Sequence, residues 1–489
     1  MGSSSSGLPY RVFMVGLAVS CSTSNGAVPK TDGGADAAGG ARVVLQPDGW
    51  KDELSPTELE DLDPRPGAVR FRLDARVQEV DVKGTRMSMW TYNGLVPGPL
   101  IRAKKGDHLV LEFTNSLPAS TTVHWHGLRV PNAMDGAGHG APVVQSGGSF
   151  RFEFDLTDAG TYWYHSYVNS SAQVGFGLYG ALVVEDPSDP AIGDEVPIVF
   201  SDLSVNPDGG LAPGDQDGRF GDYFGREGAV LLVNGKVMPN LKGRIGVAQR
   251  WKVINASRAR YLKFHVPSAD MIRVGGDAGL ISRPSTITSI TLAPGERAEI
   301  RVLPKARATG KQPVLWEDSD RLHTGSPRVS VPFMTFETTD QAAPKNSAEV
   351  LPTQLRDITP IPTTGSRERV MEMTETQGAL GTVLGFNGKP FTEATPLDAM
   401  VGETEVWEVR NLTLQDHPFH LHGFSFQVLG SPSGPVTNLE WKDTVNVPAN
   451  GFVKLVLRWD DRPGMWMFHC HILDHVELGM MGMVHLMRH

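Results

Sequence analysis

The chain has 489 residues, too many for one hydrophobic core and suited to about three domains. Its formal net charge of −10 argues against nucleic acid as a partner. With 54 glycines, 35 prolines and no long amphipathic helical period, it reads as all-β, many short strands joined by turns. No apolar run approaches the roughly 18 residues that a membrane-spanning helix needs.

The first element, residues 1–21, is signal-like. Arg11 precedes an apolar stretch from Val12 to Val19, which ends at Ala18-Val19-Ser20-Cys21, similar to an imperfect bacterial lipoprotein box. Ser22 to Ala41 is rich in Gly, Ala, Ser and Asp, so residues 22–64 read as a low-complexity tether and N-terminal arm. The expected destination is outside the cytoplasm: the periplasm or cell envelope with a lipid on Cys21 as the membrane attachment, or secretion after cleavage. Met1-Gly2-Ser3-Ser4-Ser5-Ser6 leaves an expression leader open as a plainer reading. Only two cysteines occur, Cys21 and Cys470, so the folded body holds one and no internal disulfide.

An internal repeat divides the body. Asn93-Gly94 leads to Phe113-Thr114-Asn115, Asn234-Gly235 to Trp251-Lys252-Val253-Ile254-Asn255, and Asn387-Gly388 to Trp407-Glu408-Val409-Arg410-Asn411. Each Asn-Gly is a tight-turn signal, and each following stretch alternates like a strand. A second turn recurs downstream at Gln145–Ser149, Leu292–Arg297 and Val447–Gly451. The units are expected over 65–190, 191–341 and 368–489, with a Pro-rich linker at 342–367.

The chemistry-bearing motifs fall in the first and third units. His124-Trp125-His126-Gly127 puts two imidazoles on one face of a strand, because side chains alternate. Asp135 follows in Met134-Asp135-Gly136, and His165-Ser166-Tyr167 has the shape of another histidine pair with its second member replaced. The middle unit holds lone His265 and His323, read as structural or surface residues. In His417-Pro418-Phe419-His420-Leu421-His422-Gly423, an extended backbone puts His420 and His422 on one face and His417 on the other. Near the C-terminus stands His469-Cys470-His471-Ile472-Leu473-Asp474-His475-Val476-Glu477-Leu478-Gly479-Met480. A thiolate with imidazoles and a weak thioether suits a blue-copper centre, and Cys470, His475 and Met480 supply three such ligands. By parity His417 fits the same side. His469 and His471 point away from Cys470, so two short covalent paths would join a metal at sulfur to metals held by these rings.

These four motifs, in this order, resemble those of three-domain multicopper oxidases of the bacterial, laccase-like kind, from about Val69 to the C-terminus. The resemblance implies three consecutive cupredoxin-like Greek-key β-sandwich domains. It also implies one-electron oxidation of phenols, aromatic amines or metal ions at a type 1 copper, coupled to reduction of O2 to water at a trinuclear cluster of one type 2 and two type 3 coppers, up to four per chain. The partners would be a small-molecule or metal-ion reductant and O2. Carried over by motif position, the type 1 ligands are His417, Cys470 and His475, with Met480 axial. The type 2 copper takes His124 and His420. One type 3 copper takes His126, His165 and His471; the other takes His422, His469 and residue 167, where the family has histidine and this chain has Tyr167. An aspartate in the context of Asp135 assists proton delivery in the family, and O2 reduction consumes protons.

Tyr167 is the departure from the pattern. A free phenol has a pKa of about 10 and must be deprotonated by a metal to bind it. The change fits slower O2 chemistry, an engineered block, or a defective cluster in a copper-binding electron-transfer protein, which is the alternative function. Some bacterial relatives carry an acid directly after the second type 1 histidine; here Val476 stands there, and no such role passes to Glu477. Asp443, in Trp441-Lys442-Asp443-Thr444-Val445, resembles a family segment but reads as a loop or strand-end aspartate. Met465, Met467, Met481, Met483 and Met487 read as packing. His108, His139, His485 and His489 have no ligand-type neighbours in sequence.

Overall fold

The three Asn-Gly pairs carry positive φ at both residues: 54° and 78° at Asn93-Gly94, 48° and 75° at Asn234-Gly235, 53° and 75° at Asn387-Gly388. This is the left-handed backbone of a tight hairpin turn, which asparagine and glycine tolerate best. The asparagines that end the repeated segments do matching work. The side-chain NH2 groups of Asn115, Asn255 and Asn411 each donate to two backbone carbonyls: Ala119 and Val144, Arg260 and Leu292, Gln415 and Val447. Each side-chain carbonyl accepts from the amide two residues on. All three are fully buried, so the repeat seen in sequence is a repeated polar pin inside each unit.

The structure, a computed structural model, describes residues 44–137, 142–325, 329–341, 350–378 and 381–489. Cys21 and the rest of the signal-like segment, the low-complexity stretch to Ala41 and His139 lie outside the described residues. Val44–His489 forms one compact unit of mostly β-strands. Its strands make three pairs of sheets. In the first sheet of each pair, two strands distant in sequence lie parallel: Ala68–Val82 with His108–Asn115, Asp194–Leu203 with Gln249–Asn255, Arg367–Gly378 with Thr404–Asn411. A third strand adds antiparallel to each, at Ser149–Asp155, Arg297–Pro304 and Phe452–Arg458. Such crossovers make each pair a Greek-key sandwich, the cupredoxin-like architecture expected from the sequence. A separate apolar core fills each, around Trp125 and Phe113, Trp251 and Phe336, and Trp407 and Phe419.

The second sheets position the motifs. In the first unit the order is Gly98–Lys104, Tyr179–Glu185, Gly160–His165, His124–His126; in the third it is Leu397–Met400, Met481–Met487, Gly464–Cys470, His417–Leu421, Thr444–Val447. The two histidine strands hold equivalent places. In the middle unit that place belongs to Leu262–His265, whose His265 pairs with Glu317 at 3.2 Å. The arm before the first unit packs on the middle one, burying Trp50 and Leu54 in its core. Arg367, which the sequence put in the linker, begins a strand.

Candidate metal centres

Strand register brings the motifs together. His124 lies opposite His165, and His420 opposite His469, each in an antiparallel pair. The two sheets meet face to face, so the imidazoles of the first unit stack on those of the third: His126 on His420 at 3.8 Å and 11°, His124 on His422 at 3.9 Å and 25°. His471 adds to the His126 side at 4.8 Å and His469 to the His422 side at 5.1 Å. His165 packs on His124, His126 and His471. All seven rings are buried. Burial holds His124, His126, His422, His469 and His471 well below the ordinary imidazole range, and His165 at about 3. These are neutral rings, the state in which histidine binds a metal.

One nitrogen of most rings is tied down and the other left bare. Nδ1 donates to a backbone carbonyl in His124 (Asp135), His165 (Ser166), His420 (Asp443) and His469 (Cys470), at 2.8 to 2.9 Å. His126 is reversed: Nε2 donates to the Asp443 carboxylate at 3.1 Å. Nε2 of His124, His165 and His420, Nδ1 of His126, and both nitrogens of His471 then have no hydrogen-bond partner. Each such buried orphan costs roughly 1–3 kcal/mol. Rings oriented by an outer bond with an inner nitrogen left free are the arrangement that metal ligation requires. Nε2 of His422 and of His469 face each other at 3.0 Å, close enough for one ion to accept both. The residues therefore fit a multinuclear metal group.

The second centre lies behind the same strand. Cys470 Sγ is 3.5 Å from Nδ1 of His417 and of His475, and these nitrogens are 3.1 Å apart. The outer nitrogens are engaged: His417 Nε2 with Thr413 Oγ1 at 2.8 Å, His475 Nε2 donating to the Tyr223 carbonyl at 3.0 Å. Met480 is fully buried, and backbone bonds tie it to both neighbours, Cys470 N to Met480 O and Met480 N to His475 O. Burial pushes the Cys470 thiol up, so a thiolate there needs a cation. This triangle of one sulfur and two nitrogens, with a methionine beside it, fits copper by its donor set.

Asp135 stands at the cage, against His124 and His422. Its carbonyl takes the His124 proton, its Oδ2 accepts from His422 Nδ1 at 2.9 Å, and its Oδ1 has no hydrogen-bond partner. Burial raises its carboxyl above the usual range.

Tyr167 lies past the end of the strand Gly160–His165, so strand parity is not what aims it. Its ring packs on His422 at 5.0 Å, His469 at 5.6 Å and His124 at 5.8 Å, and no ring contact joins it to His165.

Asp443 corrects the sequence reading. It does precede a strand, Thr444–Val447, but it is buried and central. It accepts from His126 and receives both ends of the Arg297 guanidinium, Nη1 to Oδ1 at 2.6 Å and Nη2 to Oδ2 at 2.5 Å. Burial pushes its carboxyl up, but Arg297 outweighs this and holds it well below the usual range. Arg297 comes from the middle unit, and its remaining N–H groups go to the carbonyls of Thr161, Gly295 and Asp277. Gly127, at φ +90°, explains the glycine after the first histidine pair: a Cβ there would sit within 3 Å of Arg297 and Asp443. The middle unit also reaches the sulfur centre. Tyr223 caps His475, and Arg226 binds Asp474 with both its amide (2.7 Å) and its guanidinium (2.5 Å). The sequence held one trace of this second set: Arg297 closes the repeated turn at Leu292–Arg297. The lone histidines lie elsewhere. His323 pairs with Asp416 at 2.7 Å, and His108 lies against Asp155 and Glu153.

Comparison with known proteins agrees with this geometry. Two family models, both described as multicopper oxidase, match residues 75–189 and 362–487. The laccase of Bacillus subtilis is 28% identical over 469 residues, covering 82% of this chain and 90% of its own length. A multicopper oxidase of Staphylococcus aureus is 29% identical, covering 82% and 85%. Among solved structures, a Campylobacter jejuni multicopper oxidase described as a metallo-oxidase superposes with a TM-score of 0.77 at 27% identity, over 91% of this chain and 99% of that one. A multicopper oxidase from Pseudomonas thermotolerans gives 0.75 at 26%, over 86% and 99%. A sulfur-centred triangle and a cage of bare imidazole nitrogens, set in a fold shared along most of these chains, make this chain a copper oxidoreductase that belongs to the multicopper oxidase family.

Proposed function

We propose that the protein is a laccase-like oxidase that takes single electrons from a phenol, an aromatic amine or a low-valent metal ion and reduces O2 to water. The observation that carries the reading is the tripeptide His469-Cys470-His471. Its sulfur lies with His417 and His475, and its two rings lie in the histidine cage. Bound copper would supply one-electron redox chemistry at both places, up to four ions per chain. His417, Cys470, His475 and Met480 would hold the type 1 ion; His124 and His420 the type 2 ion; His126, His165 and His471 one type 3 ion; His422 and His469 the other. Asp443, braced by Arg297, fixes His126 so that Nδ1 faces inward. Asp135 combines a raised carboxyl with a free Oδ1 beside His124 and His422, which suits it to hold and release protons at the cage. The outer nitrogens of His417 and His475 are occupied by Thr413 Oγ1 and the Tyr223 carbonyl, so a reductant would not hydrogen-bond to either ring directly.

Tyr167, in a type 3 histidine position, slows the O2 half of the reaction in this reading. It is also the observation that favours the alternative, a copper-binding electron-transfer protein with a defective cluster. O2 uptake by the copper-loaded protein with a simple phenol, recorded beside its visible spectrum, decides between them. Uptake coupled to phenol oxidation is expected. Blue absorbance without uptake selects the alternative, and absence of both sinks the two readings together. Export, with a lipid on Cys21 as the membrane attachment, belongs to the same proposal and rests on Arg11 to Cys21 alone.

A further inference from the structure

We propose that Tyr167 is itself a metal ligand, its phenolate oxygen taking the third protein position at the ion held by His422 and His469. The inference rests on the multicopper reading and gives Tyr167 a defined chemical part in it. Three observations converge. The first is placement. The Tyr167 ring centroid is 5.0 Å from His422 and 5.6 Å from His469, within the range in which the cage histidines lie from one another, 3.8 Å for His126 and His420 to 6.0 Å for His124 and His126. The second is the hydroxyl. Its oxygen is buried and has no hydrogen-bond partner, whereas the buried Tyr164 and Tyr179 hydroxyls reach Pro99 O at 2.6 Å and Ser201 Oγ at 2.8 Å. Tyr92 also lacks a partner, but only aromatic hydrocarbon rings and Tyr164 stack on it, so orphanhood alone is not the argument. The third is the state of the neighbours. Nδ1 of His422 and of His469 is already spent on Asp135 and on the Cys470 carbonyl, and their Nε2 atoms converge at 3.0 Å. Two nitrogens thus converge on one point, and the Tyr167 ring packs against both of their imidazoles with its buried hydroxyl unbonded.

On metal binding the phenol O–H bond breaks as the oxygen–metal bond forms, and the proton leaves to solvent, as protons do when a metal displaces them from its ligands. No electron moves in that step. An anionic oxygen in place of a neutral imidazole nitrogen stabilises the more highly charged, harder oxidation state of the ion. Reduction of that position then becomes harder, which gives a physical reason for a slower oxidase without loss of the metal.

The test compares copper-loaded protein with Tyr167→Phe and Tyr167→His, read by metal content, visible absorption and resonance Raman. The unchanged protein should show a phenolate-to-copper charge-transfer band, separate from the thiolate band, with enhanced tyrosine ring modes. Tyr167→Phe should lose that band and about one copper per chain. Tyr167→His should keep the copper without the band. Equal copper and an identical spectrum in Tyr167→Phe would overturn the inference, as would a copper deficit in the unchanged protein that Tyr167→His repairs, since the tyrosine would then block the position. The thiolate band of Cys470 serves as the control. If it is missing from all three proteins, the multicopper reading fails, and this inference with it; if it is present, only the role of Tyr167 is at stake.

Discussion

Cys470 can become a thiolate only where a cation compensates it, because burial pushes its thiol up and the groups nearest its sulfur are neutral imidazoles. Cys470→Ser should therefore abolish intense blue absorbance in copper-loaded protein while far-UV circular dichroism stays unchanged; a surviving blue band would remove Cys470 from the metal. Asp135→Ala should slow reoxidation of the reduced enzyme by O2 more than it slows reduction by substrate, since the carboxyl sits at the cage and not at the sulfur. Stopped-flow rates for the two halves separate them, and an unchanged reoxidation rate excludes Asp135 from proton delivery. Asp443 makes a harsher prediction. Removing one partner of a buried ion pair strands the other charge, at a cost of about 3–5 kcal/mol. Asp443→Ala leaves the fully buried Arg297 only the Asp277 carboxylate, 3.7 Å away, and should lower stability in denaturant melts by up to that order and weaken copper retention. The candidate ligands were legible because each lies in a local motif, and strand parity assigned faces to those in strands, such as His124, His126 and Cys470. The Asp443–Arg297 pair was not, since its members are 146 residues apart in different units and the local pattern around each says nothing of the other.

At the scale of elements, the short helix Gly218–Phe224 matters more than its length suggests. Three bonds dock its last turn and the segment that follows onto the ligand loop: Tyr223 O from His475 Nε2, and the amide and guanidinium of Arg226 to Asp474. Gly225 allows this approach. It sits at φ +74°, and a Cβ would lie 2.7 Å from Ala259 Cβ and 2.9 Å from Ile472 Cγ2. Gly225→Ala adds overpacking of typically 1–3 kcal/mol and should lift Tyr223 from His475. The expected result is a lower melting temperature together with a shifted blue band. Gly388→Ala is the control: its φ is a similar +75°, but nothing lies within 4 Å of the added carbon, so it should cost stability without touching the spectrum. An unshifted band in Gly225→Ala would mean that the segment does not bear on the sulfur centre. None of this was readable in the sequence. The Asn-Gly hairpins announced themselves because a turn is encoded by its own residues, whereas the docking of this segment depends on surfaces that exist only after the three sandwiches assemble.

Over the whole molecule, the cage joins the first and third units through a layer of neutral imidazoles, and that layer is a liability at low pH. His165 and His475 are held at about 3, and His124, His126, His417, His422, His469 and His471 also lie well below their ordinary value, each chiefly because burial disfavours the charged ring. The unfolded chain protonates the same rings near the free value of about 6.5. Between about 6.5 and about 3 it therefore binds protons that the folded chain refuses, and folding stability falls as pH falls through that window. Above about 6.5 the rings are neutral in both states and no penalty remains. His108, raised by Asp155 and Glu153, has the opposite sign, losing its contribution as pH rises, but it is one exposed group against eight buried ones. Metal-free protein should thus melt at progressively lower temperature from about pH 7.5 to about pH 5. Copper at neutral pH should raise the melting temperature, because an ion that binds only the folded state stabilises it in proportion to the logarithm of its concentration over Kd. That gain should shrink on acidification as protons compete for the same nitrogens. Calorimetric melts of metal-free and copper-loaded protein across this range test the argument. A metal-free melting temperature indifferent to pH would mean that the imidazoles are not held neutral by burial, and that the cage does not stake the stability of the assembled units on its metal.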